Sequence, residues 1–256
     1  MIDVIRPRWF LVLVGLPLAL GAVAAAPPSP TRYLNGAALT FTLPTARADA
    51  GTTELELTSV RAAQPGPWSA RGDEAIADAK AFGAPDLIGR FSEAAQVQLT
   101  PATRPMLLRL LTRALAEVSH YSEFYKAVAE RKRPYVEDSS VKLCYDNPQH
   151  KLDPLRSYPS GHAANGYAAA LFLADVMPGR RQALLARGMR YGENRVVCGA
   201  HHPSDVLEGQ LLAIEYYREV QPSPRLTADL VCARAEDAVI NNKLAALPAS
   251  CTAPGA

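Results

Sequence analysis

Three short segments of this chain carry side chains suited to handling a phosphoryl group. The first is Pro159-Ser160-Gly161-His162, at the mouth of the Ala-rich stretch "AANGYAAALFLADV". A helix starting there presents unpaired backbone N–H groups and partial positive charge; Gly161 lets an anion approach the main chain, and Ser160 and His162 add a hydroxyl and an imidazole. The second is "NRVVCGAHHPSD", with Arg195, then His201, then Asp205 four residues on. Pro203 suits the first turn of a helix, which places His201 just before it and Asp205 inside it. A carboxylate there can fix the imidazole's tautomer and leave the other nitrogen free to attack. The third, "KAVAERKRP", puts Lys126 and Arg133 seven residues apart, two helical turns, on one predicted face, and Pro134 ends that element.

Each segment also has a plain structural reading. Ser160 is a natural N-cap with His162 exposed in the first turn. Asp205 is favourable at any helix start, and Lys126 with Arg133 suits a solvated basic helix end. All three in one chain favour an anion cage. Phosphoryl transfer asks a protein mainly for in-line positioning and for charge on the equatorial oxygens. Three cations and a helix end supply that, so no metal and no other cofactor is expected.

The elements that must position these residues read as helices. "GDEAIADAKAFG" is Ala-rich and stops at Gly83. The stretch from Thr100 to Arg133 starts with Thr100 as N-cap and Pro101 in the first turn. Its Leu107, Leu108, Leu111, Leu115 and Val118 recur at three and four residues, which buries one face, and a break is expected near Ser119 or Ser122. A polar, Pro-bearing loop runs from 134 to 159. Further helices are expected over 160–176, about 180–198, about 203–219, and across "TADLVCARAEDAVINNKLAAL". Residues 27–72, rich in Pro, Gly and Thr with one alternating patch, "TTELELTSV", read as an irregular, partly extended arm. No βαβ alternation or repeat occurs, so the class is an all-α helical bundle.

The ordered segments resemble the signature of the type 2 phosphatidic acid phosphatase superfamily, K-x6-R-P, then P-S-G-H, then S-R-x5-H-x3-D, and within it the class A bacterial non-specific acid phosphatases. The resemblance implies a single all-α acid phosphatase domain over 27–256. It implies His201 as the nucleophile that forms a phosphohistidine, Asp205 as its orienter and His162 as general acid. Lys126, Arg133, Ser160, Gly161 and Arg195 would hold phosphoryl oxygens. Substrates would be small-molecule phosphate monoesters over a broad range. The vanadium haloperoxidases share such a cage, so a vanadate-dependent haloperoxidase is an alternative, although this chain is far shorter; an exported phosphate-binding module without turnover is another. Two departures stand out. Asn194 occupies the pattern's Ser, and His202-Pro203 follows His201, so that His202 competes for the same roles; only His201 has the spacing to both Arg195 and Asp205. His120 and His150 have no partner in sequence and are expected at the surface.

Composition bounds the rest. The formal charge is +2 over 256 residues and the basic residues do not cluster, which gives no case for a nucleic-acid polymer as partner. Residues 1–26, with Arg6 and Arg8, an apolar run from Trp9 and small residues at Gly21 to Ala26, read as a signal peptide, with a single membrane anchor as the rival. Signal removal would leave a periplasmic or secreted protein with no membrane segment. Whether it forms a homo-oligomer stays open. In an oxidising compartment Cys144, Cys198, Cys232 and Cys251 are expected to pair. Four cysteines allow three pairings. Cys144 with Cys198 and Cys232 with Cys251 is the expected one, because the first bridge would tie two segments of the site together; buried free thiols are the alternative.

Overall fold

The computed structural model describes residues 32–34, 39–44, 50–64, 69–145 and 151–252; the expected signal peptide and His150 lie outside them. The fold is all-α: no strand occurs among the described residues, and seven helices have eleven residues or more. They are α1 (Ala50–Ala63), α2 (Ala70–Lys80), α3 (Pro105–Ala129), α4 (Gly161–Val176), α5 (Arg181–Val197), α6 (Pro203–Val220) and α7 (Pro224–Ile240).

Helix α4 has small or apolar residues on every side and is buried along almost its whole length, so it can only sit at the centre. Helices α3, α5 and α6 surround it. Leu107, Leu110, Leu111 and Val118 of α3 meet Phe172 and Leu173 of α4, Leu212 and Tyr216 of α6, and Leu226 of α7 in one continuous core. Small residues set the spacing. A Cβ on Gly209 of α6 would lie 2.4 Å from the Ser160 carbonyl oxygen, so only glycine lets α6 run this close to the start of α4.

Both expected disulfides form, Cys144–Cys198 and Cys232–Cys251. Other expectations need correction. Within the arm expected over 27–72, Ala50–Ala63 are helical instead of irregular: "TTELELTSV" lies inside α1, which buries Glu56, Leu57 and Val60, whereas residues 32–34 and 39–44 have no regular structure and still bury Tyr33, Leu39 and Leu43 in the core. Helix α3 starts at Pro105, not Pro101. Its N-terminal N–H groups at Met106 and Leu107 are taken by the Glu236 carboxylate of α7, at 2.8 and 3.2 Å, while Thr100 and Thr103 only close a local turn. Nor does α3 break at its serines. Ser119 exchanges hydrogen bonds with Asn165 of α4, and Ser122 bonds back to the Ser119 carbonyl, so neither disrupts the helix. Helix α7 begins at Pro224, capped by Ser223, and ends at Ile240, earlier than its Ala-rich sequence suggests. A short helix, Pro134–Glu137, interrupts the expected loop. His120 is half-buried against the Tyr121 ring instead of at the surface.

Candidate active site

Gly161 opens α4, and its lack of a side chain keeps room there: a Cβ would lie 3.1 Å from both Lys126 Nζ and Ser122 Oγ and would press on both. Ser160 caps the helix by accepting from the Ala163 N–H at 3.3 Å. The first-turn N–H groups of Gly161 and His162 have no intrahelical acceptor. Across from them, the Ser160 N–H donates to the Asp205 carbonyl oxygen at 2.8 Å. A backbone bond therefore ties the Pro159–His162 segment to the first turn of α6, which carries Asp205.

Helix α6 starts at Pro203, as its sequence requires, with Asp205 fully buried beneath His201. His201 Nδ1 faces Asp205 Oδ2 at 3.5 Å, and Arg133 Nη1 donates to His201 Nε2 at 3.1 Å. A guanidinium can only donate, so Nε2 carries the lone pair and Nδ1 the proton. Burial, then the Arg133 charge, push the His201 pKa well below its ordinary value, with Asp205 opposing them. Asp205 stays ionised. Burial alone would raise its pKa, but the contact to His201 and the Arg131 guanidinium hold it well below the usual carboxylate range.

Lys126, Arg133 and Arg195 come together as expected, although not for the reason the spacing suggested. Helix α3 ends at Ala129, with Glu130 in the left-handed region, so Arg133 lies in a loop and shares no helix face with Lys126. Backbone carbonyls hold its guanidinium instead: Asp153 O at 2.8 Å, Ala200 O at 2.9 Å and Arg156 O at 2.8 Å. Lys126 is buried, 3.2 Å from Glu123 Oε1. Arg195 Nε and Nη1 are buried without a hydrogen-bond partner among the described residues. Burial lowers the pKa of all three cations, that of Arg195 to about 10. An arriving anion would offset part of that desolvation.

His162 lies in the same cleft. Its Nε2 is 3.2 Å from the Ala79 carbonyl, which can only accept, so Nε2 carries a proton and Nδ1 is the nitrogen left for a ligand. The ring leans on Phe82 at 4.8 Å and stacks with Tyr191 at 6.1 Å. Burial, then Arg195 and His201, drive its pKa well below the ordinary histidine value. The cleft has a volume of about 550 Å³, and Lys126, Arg133, Gly161, His162, Arg195 and His201 all line it. Ser160 is fully buried behind this surface and acts there as a cap. A larger groove, of about 1220 Å³, runs past Arg90, Arg187 and Arg190 and contains none of these residues. Among the described residues no group of three His, Cys, Asp or Glu side chains gathers around a possible metal position.

His202 does not compete with His201. It is fully buried, does not line the cleft, and turns its Nε2 toward Glu137 at 3.1 Å. Asn194 uses its amide to donate to Asp78 Oδ2 at 2.6 Å, which anchors the end of α5 beside Arg195. Three residues that support the site escaped sequence reasoning. Arg131 donates to Asp205 Oδ1 at 2.6 Å and Ser204 Oγ at 2.7 Å; Ser157 donates to Asp205 Oδ2 at 2.6 Å; and Glu56 of α1 pairs with Arg131. A signal was present for two of them, since Arg131 and Ser157 each stand two residues before a recognised residue, Arg133 and Pro159. None was present for Glu56.

Residues 105–216, from the start of α3 to near the end of α6, match the family described as the PAP2 superfamily. The chain belongs to that superfamily. Curated relatives are similar over much of its length. An acid phosphatase of Zymomonas mobilis is 35% identical over 145 residues, 56% of this chain and 54% of the relative. A non-specific acid phosphatase of Providencia stuartii is 32% identical over 167 residues, 65% of this chain and 66% of the relative. One of Salmonella typhimurium is 35% identical over 150 residues, 57% of this chain and 56% of the relative. The chain thus spans between about half and two thirds of the length of these relatives.

Proposed function

We propose that this protein is an exported acid phosphatase, a single domain over 27–256 released from a signal peptide at 1–26, which hydrolyses small phosphate monoesters through a phosphohistidine. The observation that carries the reading is the convergence of a histidine whose Nε2 lone pair points at Arg133, three buried cations and a second histidine on one cleft. Membership of the PAP2 superfamily and similarity to acid phosphatases support it. So does the complete pairing of four cysteines, which suits an oxidising compartment. No helix among the described residues is long and apolar enough to cross a membrane.

Substrate entry displaces Arg133 Nη1 from His201 Nε2 onto a phosphoryl oxygen. Arg195, Lys126 and the N–H groups at Gly161 and His162 take the remaining oxygens. Nε2 then forms the N–P bond as the P–O ester bond breaks in line, and the leaving oxygen takes the proton from His162 Nδ1. Asp205 stabilises the cationic imidazole. Water, losing its proton to His162, next breaks the N–P bond, and phosphate leaves with His201 neutral again. His201 must be neutral and His162 protonated, and burial depresses both pKa values. A bound phosphoryl anion raises that of His162. Turnover is therefore lost as pH rises and His162 gives up its proton, and again in strong acid as His201 gains one.

The test is hydrolysis of a chromogenic aryl phosphate in the presence of EDTA. Turnover at mildly acid pH is expected, with a drop of at least about 10³-fold in His201→Ala. Phosphate binding without turnover in the wild type would overturn the reading in favour of a binding module.

A further inference from the structure

Beneath the cleft the structure contains a buried line of alternating charge that begins outside the matched family region. Glu56, on α1, pairs with Arg131 Nη2, and its other oxygen accepts from the Ser204 N–H at 2.8 Å. Arg131 Nη1 reaches Asp205 Oδ1 at 2.6 Å, and Asp205 Oδ2 faces His201 Nδ1 at 3.5 Å. All four side chains are shielded from solvent. Helix α1 is held against this place by Leu57 and Val60, by the Arg61–Asp138 pair, and by hydrogen bonds between Gln64 and the Lys142 backbone.

Count the charges along the line. With His201 neutral, two carboxylates face one guanidinium. Charge balance is reached only when His201 becomes cationic, which on the reading above happens as the phosphohistidine forms. Without Glu56 the line would instead balance with His201 neutral. Resting and reacting states would then exchange places in which one the fold favours.

We propose that Glu56 is a positioning residue for the His201–Asp205 pair: by occupying Arg131 and the Ser204 N–H, it leaves Asp205 as the unbalanced carboxylate behind the imidazole. The proposal rests on the phosphatase reading for its chemical purpose, but not for its electrostatics. The charged groups around His201 are Arg133 from the loop after α3, Arg195 from α5, His162 from α4, Lys126 from α3 and Asp205 from α6. Those near Glu56 are Arg131 and, through its neighbour at Ser204, His202, which in turn faces Glu137. Among these, Glu56 can be neutralised without touching the cleft.

The experiment follows the His201 imidazole by NMR through an acid titration of wild type, Glu56→Gln and Glu56→Asp, alongside aryl phosphate turnover. In Glu56→Gln the loss of an anion disfavours the imidazolium, so the His201 pKa should fall by about one unit and kcat by about tenfold. The acid limb of the rate profile should move to lower pH with it. Glu56→Asp keeps the charge and should stay within about threefold of wild type. If Glu56→Gln does not fold, Glu56→Gln/Arg131→Gln leaves no buried unpaired cation; there the His201 pKa should lie at or above the wild-type value, because a cation has gone with the anion. An unchanged pKa in Glu56→Gln, an equal fall in Glu56→Asp, or a fall in the double variant overturns the proposal. The expected pKa shifts in a protein that turns nothing over would support the linkage while removing the phosphatase reading.

Discussion

Two fully buried aspartates, Asp78 of α2 and Asp205 of α6, are built from the same materials and end in different circumstances. Asp78 accepts from Arg90 at 2.8 Å, Arg187 at 2.6 Å and Asn194 at 2.6 Å. Asp205 accepts from Arg131, Ser157 and the His202 N–H, all within 2.8 Å. No partner of Asp78 changes its charge, since Asn194 is a neutral amide and the other two are guanidiniums around one carboxylate. Asp205 has one guanidinium, already shared with Glu56, and keeps an oxygen toward a histidine whose charge can change. Burial and multiple hydrogen bonds therefore do not distinguish a structural carboxylate from a working one. The distinguishing feature is whether one of its contacts is to a group that changes charge in the reaction.

The largest expected effect on this comparison comes from Asp205→Asn. An amide neither fixes the His201 tautomer nor balances an imidazolium, so kcat should fall about 10³-fold, while melting experiments register a smaller loss because Glu56 still holds Arg131. Next comes Asp78→Asn, where the order of the two readouts reverses. Leaving Arg187 and Arg90 around a neutral group should cost about 3 kcal/mol, seen as a Tm lower by roughly 6 to 12 °C, with kcat per folded molecule within about threefold. Activity losses of similar size in the two variants would break the comparison. The smallest effect is expected for Asn194→Ser. The shorter side chain no longer spans the gap to Asp78, but the substitution also removes Asn194 Oδ1, which is buried without a hydrogen-bond partner among the described residues. A net destabilisation of about 1 kcal/mol should appear in denaturant unfolding.

The residues lining the cleft were legible because their chemistry is local. Pro159 to His162 needs only a helix start, and the spacing from Arg195 to Asp205 needs only Pro203 to begin α6. How the cleft's cations are held was legible only in part. Lys126 and Arg133 were paired through an assumed common helix, whereas carbonyls from three separate loop positions hold the guanidinium, a fact no periodicity encodes. Helix α1 was missed because its Thr- and Val-bearing sequence alternates, and because its stability comes from what it docks against, not from its own pattern. The start of α3 was misplaced for a similar reason: its cap is a glutamate 130 residues away from Met106. Local sequence identifies groups that meet substrate, while long-range pairings decide how firmly they are held.

The bond from the Ser160 amide to the Asp205 carbonyl has one further consequence. It belongs to the polypeptide itself, so replacing each residue in turn by alanine would leave it intact and would make the join between the two histidine-bearing segments look unimportant. Proline at position 160, or an ester in place of that amide, removes the donor and would reveal how much of the cleft's width is written in the main chain.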